Sequence, residues 1–362
     1  MNGLKKLFVV SSVLILSLFL LTTGISAQNL DETMKSLSET AGKAYVKPVV
    51  NGFGADLNGG WYHKAPRAKL FSIDFEFGVV AMGSLFEDKD KSFATSGTFR
   101  FTKDQAATLV PTSLPISVQN SLINTIINKD YTVTMSGPTV VGDKNDNIKI
   151  VFPGDVINVP SVGNQTIAAK TIDITDAKGL IDFRAVPLAA PQVTVGTILG
   201  TQAAFRYLPE LDLSKFSDKI TIGKVKYFGW GVQHNPKAYM FKFIPLDFSL
   251  SYFTQKLNVG EILEATASAY GINVSKQLGP GWLNITPYAG YMLEKSTLKF
   301  KYDYVIDTAT NKMQSVAFEM DGENENRITL GLGLKLLFLN ITADYNIGKV
   351  KSATVGLWLL SF

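Results

Sequence analysis

The sequence predicts an all-β fold, namely a transmembrane antiparallel β-barrel of about 12 to 14 strands with a short N-terminal helical or irregular plug. Three observations predict this fold. Apolar and polar residues alternate with period two along much of the chain. Many of these runs are about nine to thirteen residues long, close to the length that crosses a bilayer at a tilt. Although 46% of the residues are hydrophobic, the chain after residue 27 contains no uninterrupted apolar segment that suits a membrane-spanning helix.

The first 27 residues have the layout of a secretory signal peptide. Lys5 and Lys6 precede an apolar run, and small residues lead up to Ala27. We expect cleavage after Ala27, with an uncleaved N-terminal anchor as the alternative. The chain contains no cysteine, so an exported protein of this size forms no disulfides, which favours a bacterial envelope. Its formal charge of +4 falls to about +2 without the two lysines, and gives no argument for a nucleic-acid partner.

Residues 28–68 do not have the period of a strand. Asn29 can cap a helix. Pro48 predicts the end of that helix, and four glycines between residues 52 and 60 predict an irregular path after it. We expect this segment to fold back into the lumen as a plug, with a position below the barrel in the periplasm as the alternative. The apolar plug candidates, at three- and four-residue spacing, are Leu30, Met34, Leu37 and Ala41.

The barrel itself is expected to occupy residues 69–362. Its first strand is predicted by FSIDFEFGVVA, which starts at Phe71 and places the aromatic and aliphatic residues on one face. Residues 104–190 are irregular and rich in proline, and we expect them to form a long extracellular loop or lid. From Gln192 onwards the alternation is regular, and it is purest in RITLGLGLKLLF, which starts at Arg327.

Two all-β architectures give such alternation, a soluble β-sandwich with one wet face and a membrane barrel with a polar lumen. Strand length and the mixture of tight and long connections favour the barrel. Aromatic residues at strand ends also favour it, because they suit a membrane interface; they are Tyr227, Phe228, Trp230, Tyr252, Phe253, Trp282, Tyr302 and Tyr304. The charged residues predicted to face the lumen are Asp74, Glu76, Arg206, Arg327, Lys335 and Asp344.

The last strand is predicted from SATVGLWLLSF, which ends at residue 362. A C-terminal strand that ends in an aromatic residue resembles the signal read by the outer-membrane insertion machinery. Trp358, Leu360 and Phe362 occupy alternate positions and are the candidates for that signal. Leu357 and Leu359 then fall on the opposite face, so they predict either contacts with the plug or an apolar lumen.

Catalysis is not expected. The two histidines, His63 and His234, lack metal-ligand spacing, and no nucleophile motif accompanies them. Asp74 and Glu76 are interpreted as solvated side chains on the wall of a water-filled or plugged interior, with a pair of glycosidase-type catalytic acids as the minority alternative. We therefore expect no enzymatic activity, no metal site and no cofactor.

Several blocks of the sequence carry a family resemblance. They are GADLNGGWYHKA (54–65), TILGTQAAFRYLPEL (197–211), KVKYFGWGVQHN (224–235), IPLDFSLSYFTQKL (244–257) and SAYGINVSKQLG (268–279). The chain resembles a family of predicted outer-membrane proteins of Bacteroidota, which has no established activity to carry over. In layout alone, an N-terminal segment before a barrel is also similar to the long-chain fatty-acid transporter family, whose N-terminal residues form a hatch in the lumen.

These observations predict a protein of the outer membrane of a Gram-negative bacterium. We expect passive passage of small hydrophobic molecules, with the lumen cations Arg206, Arg327 and Lys335 biasing selection toward an acidic headgroup. The alternative is a structural or adhesive surface barrel with no transport role. The expected partners are outer-membrane lipid, the insertion machinery and a small hydrophobic ligand, with no nucleic acid.

Overall fold

The computed structural model describes residues 28–159, 163–174, 179, 185–212, 224–241, 243–260, 263–307 and 312–361. The expected signal peptide and Phe362 lie outside these residues, so the cleavage site stays a prediction. Within the described part of the chain, no helix combines the length and the apolar character needed to cross a membrane.

The helices that we number are α1 (Gln28–Asn58), α2 (Lys103–Leu109) and α3 (Ile116–Ile127). The strands of the first half are β1 (Phe71–Leu85), β2 (Ser92–Phe99), β3 (Tyr131–Pro138), β4 (Ile148–Phe152), β5 (Asp155–Val159), β6 (Gly163–Ile167) and β7 (Lys170–Ile174). Those of the second half are β8 (Ala185–Ile198), β9 (Thr201–Asp212), β10 (Lys224–His234), β11 (Asp247–Val259), β12 (Leu263–Ser275), β13 (Leu283–Asp307), β14 (Lys312–Asp321), β15 (Asn326–Leu336), β16 (Leu339–Ile347) and β17 (Ser352–Ser361).

Ten of the described strands close a barrel in the order β1, β8, β9, β10, β11, β12, β13, β15, β16 and β17. Every neighbouring pair is antiparallel, and β17 returns to β1 to complete the ring. The predicted fold class, an antiparallel β-barrel with an N-terminal helix, is therefore confirmed. The barrel is smaller than the expected 12 to 14 strands, although its strand number is even as expected.

Strand pairing explains the smaller number. β13 is 25 residues long; its first half pairs with β15 and its second half with β14, so two runs of alternation belong to one strand. β2 pairs with β3 in a separate sheet and not with the wall. Alternation marks a strand with two different faces, but it does not identify the neighbour to which that strand is hydrogen-bonded.

The outer surface of the barrel is apolar and its interior is polar. On β15, Ile328, Leu330, Leu332, Leu334 and Leu336 are all about half exposed. The intervening side chains, such as those of Arg327 and Thr329, are buried inside. A soluble protein buries its leucines, whereas a membrane barrel exposes them to lipid and keeps its polar side chains in the lumen. The chain therefore has the inverted pattern of a membrane-spanning barrel.

The two ends of the barrel differ in their connections. At the end that we call the turn end, the connections are residues 199–200, 235–246, 276–282 and 337–338. The opposite end, which we call the mouth, carries the long connection 86–184 between β1 and β8. Leu199 and Gly200 both have positive φ, as a two-residue hairpin turn requires.

Residues 86–174 fold into a unit that we call the mouth module. A four-stranded sheet (β2, β3, β4 and β7) and the hairpin of β5 and β6 pack with α2 and α3. The expected loop at 104–190 is thus a folded unit that starts earlier. Its predicted end at residue 190 is wrong, because residues 185–190 already belong to β8, which pairs with β1.

Helix α1 continues through Pro48 to Asn58, so the expected helix end at Pro48 is wrong. Tyr45, Val46 and Val50, on either side of the proline, are buried between the mouth module and the barrel, and this packing offsets the hydrogen bond that proline cannot donate. Gly54 allows close approach here, because a Cβ at this position would clash with Ser296 Oγ of the wall.

The expected aromatic girdle is only partly present. Phe228, Trp230, Tyr252 and Trp282 face outward and are exposed. Tyr227 and Phe253, which lie next to two of them in sequence, are fully buried inside. The expectation is wrong for these two because adjacent strand residues point to opposite faces. The side chains of Tyr302 and Tyr304 lie outside the described residues.

The lipid-facing assignment predicts the effect of a charge on the outer wall. Leu332, at the centre of the exposed row, is 52% exposed, and Leu337, in a turn, is 57% exposed. We expect Leu332→Arg to lower the free energy of unfolding in lipid vesicles by about 2–4 kcal/mol, and the control Leu337→Arg by about 0–1 kcal/mol. Denaturant titration in vesicles measures both. Equal losses would contradict a membrane-embedded wall.

Candidate functional site

The lumen is filled by the chain that precedes β1. We call residues 50–67, the last turns of α1 and the extended segment after it, the plug. Leu57, Trp61, Tyr62, His63 and Ala65 of the plug are buried inside the barrel. The plug runs from the mouth, where α1 contacts the mouth module, to the turn end, where β1 begins. The candidate functional site is the contact surface between the plug and the lumen wall.

Trp61 is the largest buried side chain of the plug. The Arg206 guanidinium lies 4.1 Å from the centre of its ring, and the ring of Phe253 stacks on it at 5.1 Å. A Cβ on Gly229 would lie 2.9 Å from the Trp61 ring, so glycine at this wall position makes room for the indole. Gln192 Nε2 donates a hydrogen bond to the Trp61 carbonyl at 3.2 Å.

Arg206 is a fully buried cation without a carboxylate within 4 Å among the described side chains. Its Nε donates to Gln192 Oε1 at 2.8 Å, and its Nη1 donates to the Tyr227 hydroxyl at 3.4 Å. Its Nη2 has no hydrogen-bond partner among the residues that the structure describes. An aromatic face and neutral acceptors therefore stabilise this charge, so that its environment depends on the indole of Trp61 staying in place.

Glu76 connects the plug to the seam of the barrel. Its Oε1 lies 2.7 Å from Lys64 Nζ and accepts a hydrogen bond from Ser361 Oγ, also at 2.7 Å, and its Oε2 lies 3.3 Å from His63 Nε2. The His63 ring in turn packs 4.4 Å from the ring of Trp358. One buried carboxylate thus holds two plug residues against β1 and β17.

Arg327 holds the end of helix α1. Its Nη2 donates to the Asn58 carbonyl at 2.8 Å, and its Nε lies 3.2 Å from Glu294 Oε1. A cation at a helix C-terminus interacts favourably with the helix dipole. Gln255 Nε2 donates to Asn58 Oδ1 at 2.8 Å. The wall therefore satisfies both the backbone and the side chain of the last helical residue.

Near the turn end, the plug is fixed mainly through its backbone. The Ala65 amide donates to Ser275 Oγ at 2.9 Å, and Asn235 Nδ2 donates to the Pro66 carbonyl at 2.7 Å. An ion pair of 2.9 Å joins Arg67 Nη1 to Asp74 Oδ1. Hydrogen bonds and ion pairs thus attach the plug to the wall along its full length.

All six charged residues predicted to face the lumen lie on the inward face. Asp74, Glu76, Arg206, Arg327 and Asp344 are buried there, and Lys335 is half-buried and donates to the Ser361 carbonyl at 2.8 Å. Asp344 accepts hydrogen bonds from the Tyr288 hydroxyl at 2.9 Å and from Asn346 Nδ2 at 2.7 Å. Of the three acids in this set, Glu76 and Asp74 form ion pairs with described residues of the plug, and Asp344 forms none with them.

The apolar plug candidates do not line the lumen contact. Leu30, Met34 and Leu37 lie in α1, but their side chains are outside the described residues, and Ala41 is buried at the mouth. The residues that contact the wall are mainly those of GGWYHKAPR, residues 59–67, which sequence reasoning did not single out as a plug contact. The signal that could have found them is two aromatic residues and several cations after a pair of glycines.

Strand β17 faces the opposite way from the prediction. Trp358 is buried in the lumen against His63, whereas Leu357 and Leu359 face outward and are exposed. The pairing with β1 shifts between Gly78, which pairs with Trp358, and the residue before it, so Leu360 also faces outward. The expected inward leucines, and with them the apolar lumen, are therefore wrong. The inward positions before Trp358 are occupied by small or polar residues, namely Ser352, Thr354 and Gly356.

The two histidines lie in contacts of different kinds. His63 contacts Glu76 and Trp358, whereas His234 lies at the turn end between the hydroxyls of Thr201 and Tyr239, at 2.9 and 2.8 Å. Within the part of the chain that the structure describes, no group of three or more histidine and carboxylate side chains is arranged to hold a metal ion. The absence of enzymatic activity stays a prediction.

At the mouth, Glu323 clasps helix α1. Its carboxylate accepts from Asn51 Nδ2 at 3.0 Å and lies 2.8 Å from Lys47 Nζ, while its amide donates to Asn51 Oδ1 at 3.1 Å. Partial burial by itself would raise the pKa of Glu323. The opposing interactions outweigh burial and hold the pKa below its usual value: they are the hydrogen bond and charge of Lys47, the charge of Lys349 and the hydrogen bond from Asn51.

A clasp of this kind predicts a dependence on pH. A depressed pKa stabilises the bound helix above the pKa of the free carboxyl, and that stabilisation is lost as the pH falls through the lowered pKa. We expect Glu323→Gln at neutral pH to reproduce the loss, with amide hydrogen exchange of residues 44–52 several-fold faster. Glu325, an exposed neighbour, provides the control Glu325→Gln. Unchanged exchange in Glu323→Gln would contradict the clasp.

The Arg327–Glu294 pair predicts a non-additive result. Arg327→Met leaves the Glu294 carboxylate buried without its partner, and we expect it to lower the free energy of unfolding by about 3–5 kcal/mol. The double variant with Glu294→Met removes the stranded charge and should regain most of that loss. Denaturant titration in vesicles gives the four values of the cycle. Simple addition of the two single effects would contradict direct coupling.

Several solved outer-membrane proteins are similar in structure. A loop L8 deletion mutant of OmpT, an outer membrane protein of Vibrio cholerae, has 12% identity and a TM-score of 0.24, over 80% of this chain and 99% of the other. The beta domain of the Bordetella autotransporter BrkA has 12% identity and a TM-score of 0.19, over 80% and 100%. A mutant of the Rh. blastica porin has 10% identity and a TM-score of 0.14, over 80% and 99%.

No sequence among the curated proteins matches the chain. The family comparison gives a match that covers nearly its full length, residues 4–360, to a family described as "Family of unknown function (DUF6588)". The chain therefore belongs to this family.

Proposed function

We propose that the protein is an outer-membrane barrel that passes small polar molecules when its plug moves. The observation that carries the proposal is the nature of the contact between the plug and the wall. Apart from the rings of Trp61 and Tyr62, which pack against Phe253, residues 58–67 are held by hydrogen bonds and ion pairs. Their partners are polar side chains, such as those of Gln192, Ser275 and Arg327. Water can replace such contacts at a small net cost in free energy, since a typical hydrogen bond contributes only about 0.5–1.5 kcal/mol.

The orientation follows from the connections. Outer-membrane barrels have short turns on the periplasmic side and long loops outside. The turn end, with connections such as 199–200 and 337–338, then faces the periplasm, and the mouth with its module faces outward. The expected signal peptide supports the same compartment. Under this orientation a solute from outside reaches α1 and the mouth module first.

The lining favours polar solutes over the hydrophobic ligand that the resemblance to fatty-acid transporters implies. Once the plug is displaced, the wall around it presents Gln192, Gln233, Asn273 and Asn346 together with the cation of Arg206. Trp61 is the group that covers Arg206. Its removal would leave that charge facing the passage, and the loss of Lys64 and Arg67 would likewise free the carboxylates of Glu76 and Asp74. Charges of both signs would then line the open passage, which supports polar solutes as a class.

The alternative is a structural or adhesive surface barrel that passes nothing. The mouth module supports this alternative, because it is a folded unit with its own apolar core and stands at the end proposed to face outward. Interaction with the outer-membrane insertion machinery through β17 is part of either proposal, and so is the absence of enzymatic activity.

An engineered disulfide distinguishes the two functions. The chain has no cysteine, and the Ala65 amide lies 2.9 Å from Ser275 Oγ, so the double variant Ala65→Cys/Ser275→Cys would tie the plug to the wall. We expect the reduced form to pass small sugars and amino acids in liposome-swelling assays. The oxidised form should swell no faster than empty liposomes, and reductant should restore passage.

The single variants Ala65→Cys and Ser275→Cys are the matched controls, since neither can form the disulfide within one chain. Passage that is insensitive to oxidation in the double variant would show that the plug does not gate it. If wild type and reduced double variant both swell at the rate of empty liposomes, the transport function is wrong and the surface-barrel function remains.

A further inference from the structure

The outer wall changes character above one row of aromatic residues. On β11 and β12, Tyr252 and Tyr270 are directly paired, and both side chains are exposed on the outer face. Leu293 of β13 pairs with Tyr270 in the same row. Tyrosine is enriched where a membrane meets water. This row therefore marks the mouth-side limit of the apolar belt on this side of the barrel.

The wall continues toward the mouth for several more rows. On β11 to β13 these rows are polar, whereas on β9 and β10 exposed aromatic residues continue for two more rows, as Phe205 with Trp230 and Tyr207 with Phe228. Thr254 pairs with Ser268 and Ser268 with Lys295 in the first row. The second row contains Lys256, and in the third Lys226 pairs with Asn258. Successive rows on one face are about 7 Å apart along a strand. The first two rows thus start at the depth where lipid headgroups lie, since headgroups add several ångströms to the hydrocarbon core.

Six lysines face outward in this region, which we call the lysine wall: Lys224, Lys226, Lys256, Lys295, Lys299 and Lys301. Three of them form ion pairs, with Glu210, Glu264 and Glu319. Lys226, Lys295 and Lys301 form no ion pair with another described side chain. The wall therefore carries an excess of positive charge beside the membrane surface.

A concavity adjoins these lysines. It has a volume of about 620 Å³ and lies between the β11–β12 turn and β14; Asn258, Glu264, Lys299, Lys301, Phe318 and Glu319 are among its lining residues. Its two carboxylates pair with Lys256 and Lys299, so among the described residues Lys301 supplies the unpaired cation at its edge. A phosphate has the oxygens and the charge that such an ammonium group binds.

On the opposite side of the mouth, three lysines lie beside carboxylates. Lys351 lies 2.8 Å from a carboxylate oxygen of Glu87, and Lys349 lies 3.6 Å from one of Glu323. Lys89 also pairs with Glu87, at 2.9 Å. Lysines without a described carboxylate partner are thus a feature of the wall from β10 to β13 that these three positions do not share.

We propose that the lysine wall binds the phosphate groups of anionic lipid headgroups in the leaflet that surrounds the mouth. Each lysine near an anionic membrane surface contributes about 1 kcal/mol, so several acting together give specific retention of such a lipid. The lipid phosphates contact Lys295 and Lys226, the lysines without a described ion-pair partner that follow the exposed apolar residues Leu293 and Phe228 toward the mouth, and the acyl chains lie along the apolar face below them. This binding rests on the membrane-spanning fold and does not require that the barrel pass solutes.

The test uses the full chain in maltoside micelles with fluorescent diphosphorylated lipid A as the probe. The triple variant Lys226→Gln/Lys295→Gln/Lys301→Gln should weaken binding at least tenfold, and up to about a thousandfold at 1 kcal/mol per lysine. The control triple variant Lys89→Gln/Lys349→Gln/Lys351→Gln removes the same charge from the opposite side and should change binding less than threefold. Heat-dependent gel mobility verifies that both variants remain folded.

If the two triple variants weaken the binding of lipid A equally, the binding depends only on the net charge of the protein, and the proposal is overturned. Equal affinity for dephosphorylated lipid A would show that only the acyl chains are bound and would also overturn it. Complete displacement by millimolar inorganic phosphate would assign the site to free phosphate instead of a lipid. Liposome swelling by the Lys226→Gln/Lys295→Gln/Lys301→Gln variant should not change, so that failure of the lipid site and failure of the transport function are separate results.

Discussion

The structure depends on one constraint, which is that no strand edge can be left unpaired in hydrocarbon. The sheet must therefore close, and β17 must return to β1. Closure fixes the inside and the outside of every strand, since side chains alternate. A ring of ten strands leaves an interior too wide to be filled by the wall side chains alone, and here the chain before β1 fills it.

The polar interior determines how that filling is held. Inward side chains such as Gln192 and Glu76 must find partners, because a buried polar group without one is unfavourable. The plug supplies those partners: a carbonyl at Trp61, an ammonium at Lys64 and an amide at Ala65. The same contacts thus satisfy the wall and close the lumen. Stability and closure are consequently coupled, and a movement of the plug must exchange its partners for water or for solute.

Much of the fold could be predicted from the sequence, because alternation records the two faces of each strand directly. The period-two alternation alone assigns Arg327 to the inside and Leu332 to the outside of the barrel, where they lie in the structure. The number of strands could not be derived in this way, since the division of β13 between two partners depends on pairing distant in sequence. The predicted orientation of the β17 side chains is wrong for a related reason. The pairing irregularity near Leu359 interrupts the alternation of inward and outward side chains. Strict alternation counted back from Phe362 therefore places Trp358 on the outside, although it lies inside.

The route of the plug has a consequence for assembly. The chain enters the lumen at the mouth, leaves it at the turn end and then turns back into β1. A segment enclosed in this way is most readily placed inside before the seam closes. Formation of the β1–β17 seam is then the step that encloses Trp61. Glu76 lies at that seam and has two partners, Lys64 of the plug and Ser361 of the last strand. From the topology we therefore expect the plug to be positioned first and the wall to close around it.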